Sequence, residues 1–283
     1  MKSAVITGAS TGIGFATARE LIDQGFRVFG SVRSDADAKR VQLEFGAGFT
    51  PLLFDVTDEK AVLAGAAEVR PMLHGEKLTG LVNNAGISVP GPLLELSVDK
   101  IRKQLEVNVI GQLIVTQAFA PLLGTDPALK GEPGRIVMIS SVAGKSALPF
   151  GGPYAASKHA LEGLSESLRR ELMVFGIDVV VIGPGPIKTP IREKGAKADF
   201  SKYENTPYLE PLKRARAMMQ ARGMAGYPPE RVAKLVHHVL TAPRPRVRYQ
   251  ITPDWLMRGV LRALPKRLVD RLIAGRLALT RKS

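Results

Sequence analysis

A tyrosine and a lysine stand four residues apart in the sequence, at Tyr154 and Lys158, and Ser141 lies thirteen residues before the tyrosine. A separation of four places two side chains on one face of a helix, one turn apart. An ammonium group that close to a phenol favours the phenolate and lowers the pKa of the tyrosine from its reference value of about 10. The pair therefore predicts a proton donor and acceptor that works near neutral pH.

A glycine-rich segment near the start of the chain predicts a nucleotide-binding turn. Gly8, Gly12 and Gly14 follow a predicted strand, Ser3–Thr7, and precede a predicted helix, Gly14–Gln24. Glycine permits a tight turn and lets the backbone approach a pyrophosphate, and the N-terminus of the helix favours an anionic ligand. Together with the tyrosine–lysine pair, this turn indicates an oxidoreductase.

Short apolar segments alternate with helical ones through most of the chain. Apolar strands separated by crossover helices predict an α/β fold, a doubly wound Rossmann-like parallel sheet with helices on both faces. The other predicted strands are Arg27–Val32, Phe49–Phe54, Gly80–Asn83, Arg135–Ser140 and Asp178–Ile182. The other predicted helices are Asp58–Leu73, Val98–Leu123 and Tyr154–Phe175.

Two segments depart from this alternation. Residues 188–227 are polar and irregular apart from a predicted helix at Glu210–Arg222, and we expect them to form a substrate lid within a single domain of residues 1–243. Residues 244–283 are predicted to form a basic amphipathic C-terminal extension with helices at Pro253–Leu264 and Lys266–Leu279. This extension suits a helix on an anionic membrane, and it suits equally a helix that packs on the protein's own body.

Composition and charge restrict the function classes. The 283 residues contain no cysteine, which excludes disulfides and thiolate catalysis, and the four histidines show no ligand spacing, so no metal site is predicted. We see neither a signal peptide nor an apolar run of about 18 residues, and we expect a cytoplasmic protein with peripheral membrane contact as an alternative. Residues 244–283 carry eleven Lys and Arg against two Asp, which is +9 of the net charge of +14. Because the rest of the chain is only mildly basic, it has no body-wide basic surface, and we expect no nucleic-acid partner.

Several motifs, taken in order, make the chain resemble the short-chain dehydrogenase/reductase family over roughly residues 2–189. The motifs are Thr7–Gly14, Asp55, Asn83-Asn84-Ala85-Gly86, Asn108, Ser141, Tyr154 with Lys158, and Pro184-Gly185-x-x-x-Thr189. The stretch from Ser141 to Leu168, together with the basic end, is similar to the hydroxysteroid and retinol dehydrogenase branch. That branch implies a lipophilic alcohol or ketone as substrate.

The resemblance implies a catalytic set of Asn108, Ser141, Tyr154 and Lys158. In relatives of this kind Tyr154 would transfer the proton, Ser141 would bond to the substrate oxygen, and Lys158 would tune the tyrosine and hold the nicotinamide ribose. Asn108 would support a water that links Lys158 to solvent. Ser140 is adjacent to Ser141, but the family spacing from the tyrosine selects Ser141. The implied substrate contacts are Ser141, Phe150 and Tyr154.

The resemblance also implies a nicotinamide cofactor. The implied cofactor residues are Gly8, Ser10, Thr11, Gly12, Ile13, Gly14, Arg33, Asp55, Val56, Asn84, Ala85, Gly86, Tyr154, Lys158, Pro184, Gly185, Ile187 and Thr189. Arg33 favours NADP(H), because an arginine accepts a 2′-phosphate that a carboxylate would repel. Asp35 or Asp37 would weaken that selectivity and leave NAD(H) as the alternative. Taken alone, Asp55 is more typical of a helix cap.

These residues predict an NADP(H)-dependent oxidoreductase that interconverts a ketone or aldehyde and an alcohol on a lipophilic substrate, which would be steroid-, retinoid- or acyl-like. A homo-oligomer is expected from the resemblance. The alternative is a cofactor-binding regulatory protein of the same fold without significant turnover. Intact Ser141, Tyr154 and Lys158 argue against that alternative.

Overall fold

The computed structural model describes residues 1–189, 199–254, 259–260 and 263–279. Residues 190–198 of the predicted lid and residues 255–258 and 261–262 of the predicted helix Pro253–Leu264 lie outside the described residues, as do residues 280–283.

A seven-stranded parallel sheet lies at the centre of the molecule, with the strand order β3-β2-β1-β4-β5-β6-β7. The strands are β1 Ser3–Ile6, β2 Arg27–Val32, β3 Phe49–Leu53, β4 Gly80–Asn83, β5 Arg135–Ile139, β6 Asp178–Pro184 and β7 Arg248–Ile251. Because the strand order reverses between β1 and β4, the carboxyl ends of these strands border the crevice where such sheets bind ligands. The predicted doubly wound α/β fold is confirmed.

Helices cover both faces of the sheet. They are α1 Gly12–Asp23, α2 Asp35–Phe45, α3 Glu59–Met72, α4 Val98–Leu105, α5 Gly111–Ala120, α6 Gly152–Glu171, α7 Leu209–Met224, α8 Pro229–Thr241 and α9 Lys266–Leu277. One core lies between the sheet and α3 and α5, around Phe29, Leu81 and Phe119. The other lies between the sheet and α1 and α8, around Val28, Val82 and Val236. Strands buried on both faces explain the continuous apolar runs in the sequence.

The predicted helix Val98–Leu123 is divided in the structure. A π-helical turn, Glu106–Ile110, separates α4 from α5, and a second one, Pro121–Thr125, follows α5. By length and composition the whole stretch Val98–Thr125 is apolar enough to cross a membrane. Half of its most apolar window is buried within the fold, as expected for a core helix.

The sheet extends beyond residue 243, the predicted end of the dehydrogenase domain. Residues Arg248–Ile251 form β7, which pairs in parallel with β6, so the sheet continues into the segment predicted as a separate extension. The sequence Arg-Tyr-Gln-Ile has no apolar run, and all four residues are half-buried. This strand is therefore specified by its neighbour in the sheet rather than by its own pattern. Helices α2 and α8 were also absent from the prediction.

Candidate active site

The glycine-rich turn connects β1 to α1 at the carboxyl edge of the sheet. Gly8 and Gly12 have positive φ angles of 68° and 59°, a region that L side chains rarely adopt. A Cβ atom on Gly14 would lie inside contact distance of the Gly8 carbonyl oxygen. The turn therefore leaves its backbone open beside the N-terminus of α1, and this cradle fits the pyrophosphate of a dinucleotide.

Side chains that follow β1 and β4, together with Ser31 of β2, hold this turn in place. The Thr7 hydroxyl accepts hydrogen bonds from the backbone amides of Asn84, at 2.9 Å, and Ala85, at 3.0 Å. The Asn84 carboxamide donates to the Thr7 carbonyl at 2.9 Å, and the Gly8 amide donates to the Ser31 hydroxyl at 3.0 Å. Thr7 and Asn84 thus join the loops that leave the two central strands.

A cavity of about 1100 Å³ extends from the glycine-rich turn to α7. Of the sequence-predicted cofactor residues, all except Gly14 line it, and the predicted substrate contacts Ser141, Phe150 and Tyr154 line it too. Its walls away from the glycine turn are largely apolar, formed by Val142, Leu148, Pro149, Phe150, Met219 and Met224. The cavity therefore brings the nucleotide-binding turn and the catalytic candidates into one space.

Tyr154 and Lys158 lie one turn apart on α6, as their spacing predicted. The Lys158 side chain is buried, and its Nζ donates to the carbonyl oxygen of Ile139 on β5 at 2.8 Å. The same Nζ lies 5.8 Å from the centre of the Tyr154 ring. Burial lowers the pKa of Lys158 to about 8, and the negative charge of Glu162 acts in the opposite direction.

Ser141 follows β5 and begins a short 3₁₀ turn, Val142–Gly144. Its hydroxyl accepts from the Ala143 amide at 3.1 Å and lies 3.4 Å from the carbonyl oxygen of Pro184. This residue and Tyr154 both face the cavity, so a substrate oxygen between them could receive hydrogen bonds from two hydroxyl groups.

Asn108 is fully buried in the π-helical turn between α4 and α5. Its carboxamide oxygen accepts from the Ile87 amide at 2.8 Å, and its nitrogen donates to the Ile87 carbonyl at 3.1 Å and to the Ser157 hydroxyl at 3.0 Å. The Ser157 hydroxyl in turn donates to the Tyr154 carbonyl at 2.8 Å. Asn108 therefore ties the loop after β4 to the helix that carries the tyrosine and lysine.

Comparison with known proteins identifies the family. Residues 2–199 match the family model described as short chain dehydrogenase, which is more than half of the chain. The chain is a short-chain dehydrogenase/reductase. An NADPH-dependent 3-dehydrocapnine reductase from Ornithobacterium rhinotracheale is 38% identical over 273 residues, which cover 96% of each chain. Human retinol dehydrogenase 5 is 33% identical and covers 95% of this chain and 86% of its own, which confirms the predicted branch.

Solved structures agree with that assignment. A short-chain dehydrogenase from Streptomyces avermitilis is 26% identical, has a TM-score of 0.77 and covers 97% of both chains. A short chain dehydrogenase/reductase from Burkholderia phymatum, solved in complex with NAD, is also 26% identical, with a TM-score of 0.76 over 92% of this chain and 91% of its own. Because the chain belongs to this family and its relatives are oxidoreductases, it is an enzyme.

One end of the dehydrogenase cavity carries a pair of opposite charges. The Arg33 Nη1 lies 4.0 Å from the Asp55 Oδ2, and the Arg33 side chain is largely exposed while that of Asp55 is half-buried. The Asp55 Oδ1 accepts from the Thr57 amide at 3.0 Å and from its hydroxyl at 2.8 Å. The cap of α3 is Asp58, whose side chain accepts from the Ala61 amide, so the helix-cap interpretation of Asp55 is wrong.

Sequence reasoning missed several polar residues that shape this dehydrogenase site. Gln104 accepts from the Val89 amide and donates to the Ile87 carbonyl, each at 2.8 Å, and Gln112 donates to the Ala85 carbonyl. Both glutamines are fully buried. The available signal was their spacing, because Gln104, Asn108 and Gln112 recur every four residues in the predicted helix Val98–Leu123 and so share one face.

Arg40 is a third missed residue, at the glycine-rich turn of the enzyme. Its guanidinium donates to the Ser10 carbonyl at 2.7 Å and pairs with Asp37 at 2.8 Å. The ion pair engages one of the two carboxylates that were expected to weaken NADP(H) selectivity. It also places a second arginine beside the turn.

The helix in the predicted lid segment is longer than predicted, Leu209–Met224 instead of Glu210–Arg222. Met219 and Met224 from this helix line the cavity, whereas Met218 does not. Phe150 has a positive φ of 65°, and its ring lies edge-on to Tyr208 at 6.2 Å, so the segment before α6 packs against the segment that leads into α7.

Proposed function

We propose that the enzyme is an NADP(H)-dependent oxidoreductase that interconverts a ketone or aldehyde and an alcohol on a lipophilic substrate. The observation that carries this proposal is the single cavity in which Ser141 and Tyr154 lie between the glycine-rich turn and an apolar wall. A cavity lined mostly by apolar side chains, with a few convergent polar groups, is typical of a site for an apolar small molecule.

The residues of the chain divide the chemistry among them. A bound nicotinamide cofactor supplies the hydride for carbonyl reduction. As the substrate oxygen gains negative charge, the Tyr154 hydroxyl would donate a proton to it and the Ser141 hydroxyl a hydrogen bond. The ammonium of Lys158, near the tyrosine ring, would stabilise negative charge on the phenol oxygen after the proton has left. In alcohol oxidation the same groups act in reverse.

Lys158 and Asn108 would hold the hydroxyl groups of Tyr154 and Ser141 in position relative to the cofactor. The Lys158 side chain is fixed at the Ile139 carbonyl and would reach the nicotinamide ribose from there. Asn108 would support a proton path from Lys158 to solvent through water, and its hydrogen bond to Ser157 keeps α6 in position for this role. Rigid supporting contacts of this kind keep catalytic groups in productive geometry.

The preference for NADP(H) rests on the basic groups at the adenine end. The Arg33 side chain is exposed at the cavity, where it would meet a 2′-phosphate, and Val32 before it is buried and carries no competing carboxylate. The 38% identical relative named as an NADPH-dependent reductase supports the same preference. The NAD-bound relative is more distant, and NAD(H) therefore remains the alternative cofactor to test.

Two further expectations accompany this function. The enzyme should be a homo-oligomer, which light scattering measures, and a cytoplasmic protein, which cell fractionation measures. A peripheral membrane contact through the basic C-terminal residues is the alternative location.

The decisive experiment is consumption of NADPH with a panel of steroid, retinoid and acyl ketones and small aldehydes. We expect turnover to be best with lipophilic carbonyls and to be higher with NADPH than with NADH. Tight NADPH binding with no turnover across the panel would instead favour the cofactor-binding regulatory protein. Equal efficiency with small polar aldehydes would contradict the lipophilic substrate class.

A further inference from the structure

Glu162 lies one helical turn beyond Lys158 on α6, and its side chain is only 6% exposed. Arg248 of β7 donates to both of its oxygens, from Nε to Oε2 at 2.8 Å and from Nη2 to Oε1 at 3.0 Å. The Lys145 Nζ lies 3.3 Å from Oε2. These three residues, the Glu162 cluster, connect the segment after the Ser141 turn, the helix of Tyr154 and the last strand of the sheet.

Two glycines leave room for the cluster. A Cβ atom on Gly144 would lie 2.9 Å from the Glu162 Cγ, and one on Gly183 would lie 2.6 Å from the Arg248 Nη2. Burial disfavours the Glu162 carboxylate, but hydrogen bonds and charge from Arg248, assisted by Lys145, hold its pKa below the usual value. The cluster therefore places a negative charge inside the protein next to the catalytic helix.

Lys158 is the group on which this charge acts. On α6 it has Tyr154 one turn before it and Glu162 one turn after it. The strand β5 accepts its hydrogen bond at the neutral Ile139 carbonyl, and the neutral Asn108 bonds to Ser157 of α6. Glu162 thus opposes the effect of burial on Lys158, while Arg248 and Lys145 pair with the same carboxylate.

We propose that Glu162 is a positioning residue of the reaction: its carboxylate, fixed by Arg248 and Lys145, keeps the buried Lys158 side chain protonated. The proposal rests on the oxidoreductase activity described under the proposed function. It gives β7 a part in catalysis, because Arg248 acts from a strand 86 residues distant in sequence from Glu162.

The first test compares Glu162→Gln with Arg248→Gln. Both variants weaken the same hydrogen bonds, but only the first removes the negative charge. We expect Glu162→Gln to shift the alkaline decline of NADPH-dependent reduction to lower pH by about one unit, the lower end of the range for a close opposite charge. Arg248→Gln should not shift it to lower pH, and Glu162→Asp should restore the wild-type profile. Equal loss of activity in both variants with an unshifted profile would mean a purely structural role and would overturn the proposal.

A second measurement does not depend on any substrate. Carbon NMR of labelled lysines, with the Lys158 signal assigned by its loss in Lys158→Met, reports the protonation midpoint of Lys158 directly. We expect a lower midpoint in Glu162→Gln than in wild type, and an unchanged midpoint would refute the inference. If Glu162→Gln does not fold, the double variant Glu162→Gln/Arg248→Gln removes both partners. In this variant too, the protonation midpoint of Lys158 should be lower than in wild type. Absence of turnover in wild type would count against the proposed function alone, since the NMR result still decides this one.

Discussion

The Lys158 ammonium donates to the carbonyl oxygen of Ile139, 2.8 Å away, on the strand that leads directly into the Ser141 turn. This bond links α6, the helix that carries Tyr154 and Lys158, to the last residue of β5. Because the ammonium is desolvated there, its protonation is sensitive to pH near neutrality.

The pH dependence of reduction should follow from that environment. The pKa of Lys158 is lowered by burial to about 8, so the ammonium is present below this pH and lost above it. We expect the rate of carbonyl reduction to fall as the pH rises through about 8, since both Lys158 and the donor Tyr154 must carry their protons. Steady-state rates over that range measure this, and the midpoint belongs to the coupled pair rather than to one residue. A rate that keeps rising above this pH would contradict the assignment.

Tyr154→Phe should abolish most of the turnover. The variant keeps the ring beside Lys158 but loses the hydroxyl, so kcat should fall by about 10² or more, the scale of positioned acid–base catalysis. NADPH affinity, measured by fluorescence titration, should remain nearly intact. Tyr208→Phe is the matched control, because this tyrosine contacts Phe150 through its ring. A Tyr154→Phe variant with half of the wild-type activity would remove this residue from the mechanism.

Arg33→Asp should shift the cofactor preference from NADPH toward NADH. A carboxylate repels a 2′-phosphate and accepts hydrogen bonds from a ribose hydroxyl. The ratio of kcat/KM for the two cofactors measures the change. Arg170→Asp makes the same charge change near the end of α6, where Arg170 pairs with Glu166, and should leave the ratio unaltered. An unchanged ratio in Arg33→Asp would make Arg33 only a solvated strand end.

Gly14→Ala should impair the nucleotide-binding turn. The added Cβ would collide with the backbone at Gly8, which cannot move without opening the turn. We expect a large loss of NADPH affinity, measured by isothermal titration calorimetry. Gly163→Ala on α6 is the control, because an added Cβ there meets nothing within 4 Å. That variant should keep its affinity and gain about 0.5–1 kcal/mol in unfolding free energy, as an exposed helical glycine allows.

Truncation after Leu264 should destabilise helix α7, which lines the cavity. Helix α9 packs against α7, and its Leu277 is 2% exposed, whereas Leu268 and Leu272 on α9 are about half-exposed. Loss of this packing should lower Tm by roughly 2–4 °C or more and raise KM for lipophilic carbonyls, because α7 lines the cavity. Calorimetry and kinetics measure the two effects. An unchanged Tm, with loss of binding to anionic vesicles that the intact enzyme shows, would assign the tail to the membrane instead.

The sequence by itself determined the local chemistry of this protein. The spacing of Tyr154 and Lys158 places them on one helical face wherever the helix lies, and the glycines at Gly8 and Gly12 specify a turn that other residues rarely form. The six apolar strands were predicted to within two residues at each end, because a strand buried on both faces must be continuously apolar.

Only the tertiary structure decided the contacts between distant parts of the chain. Arg248 meets Glu162 across 86 residues, and Asn108 meets Ser157 across 49, and neither pairing leaves a periodic signal in the sequence. The polar strand β7 forms because β6 offers it a free edge, not because its own residues require burial. Packing selects such partners, since a buried charge or amide is stable only where a complementary group is already in place.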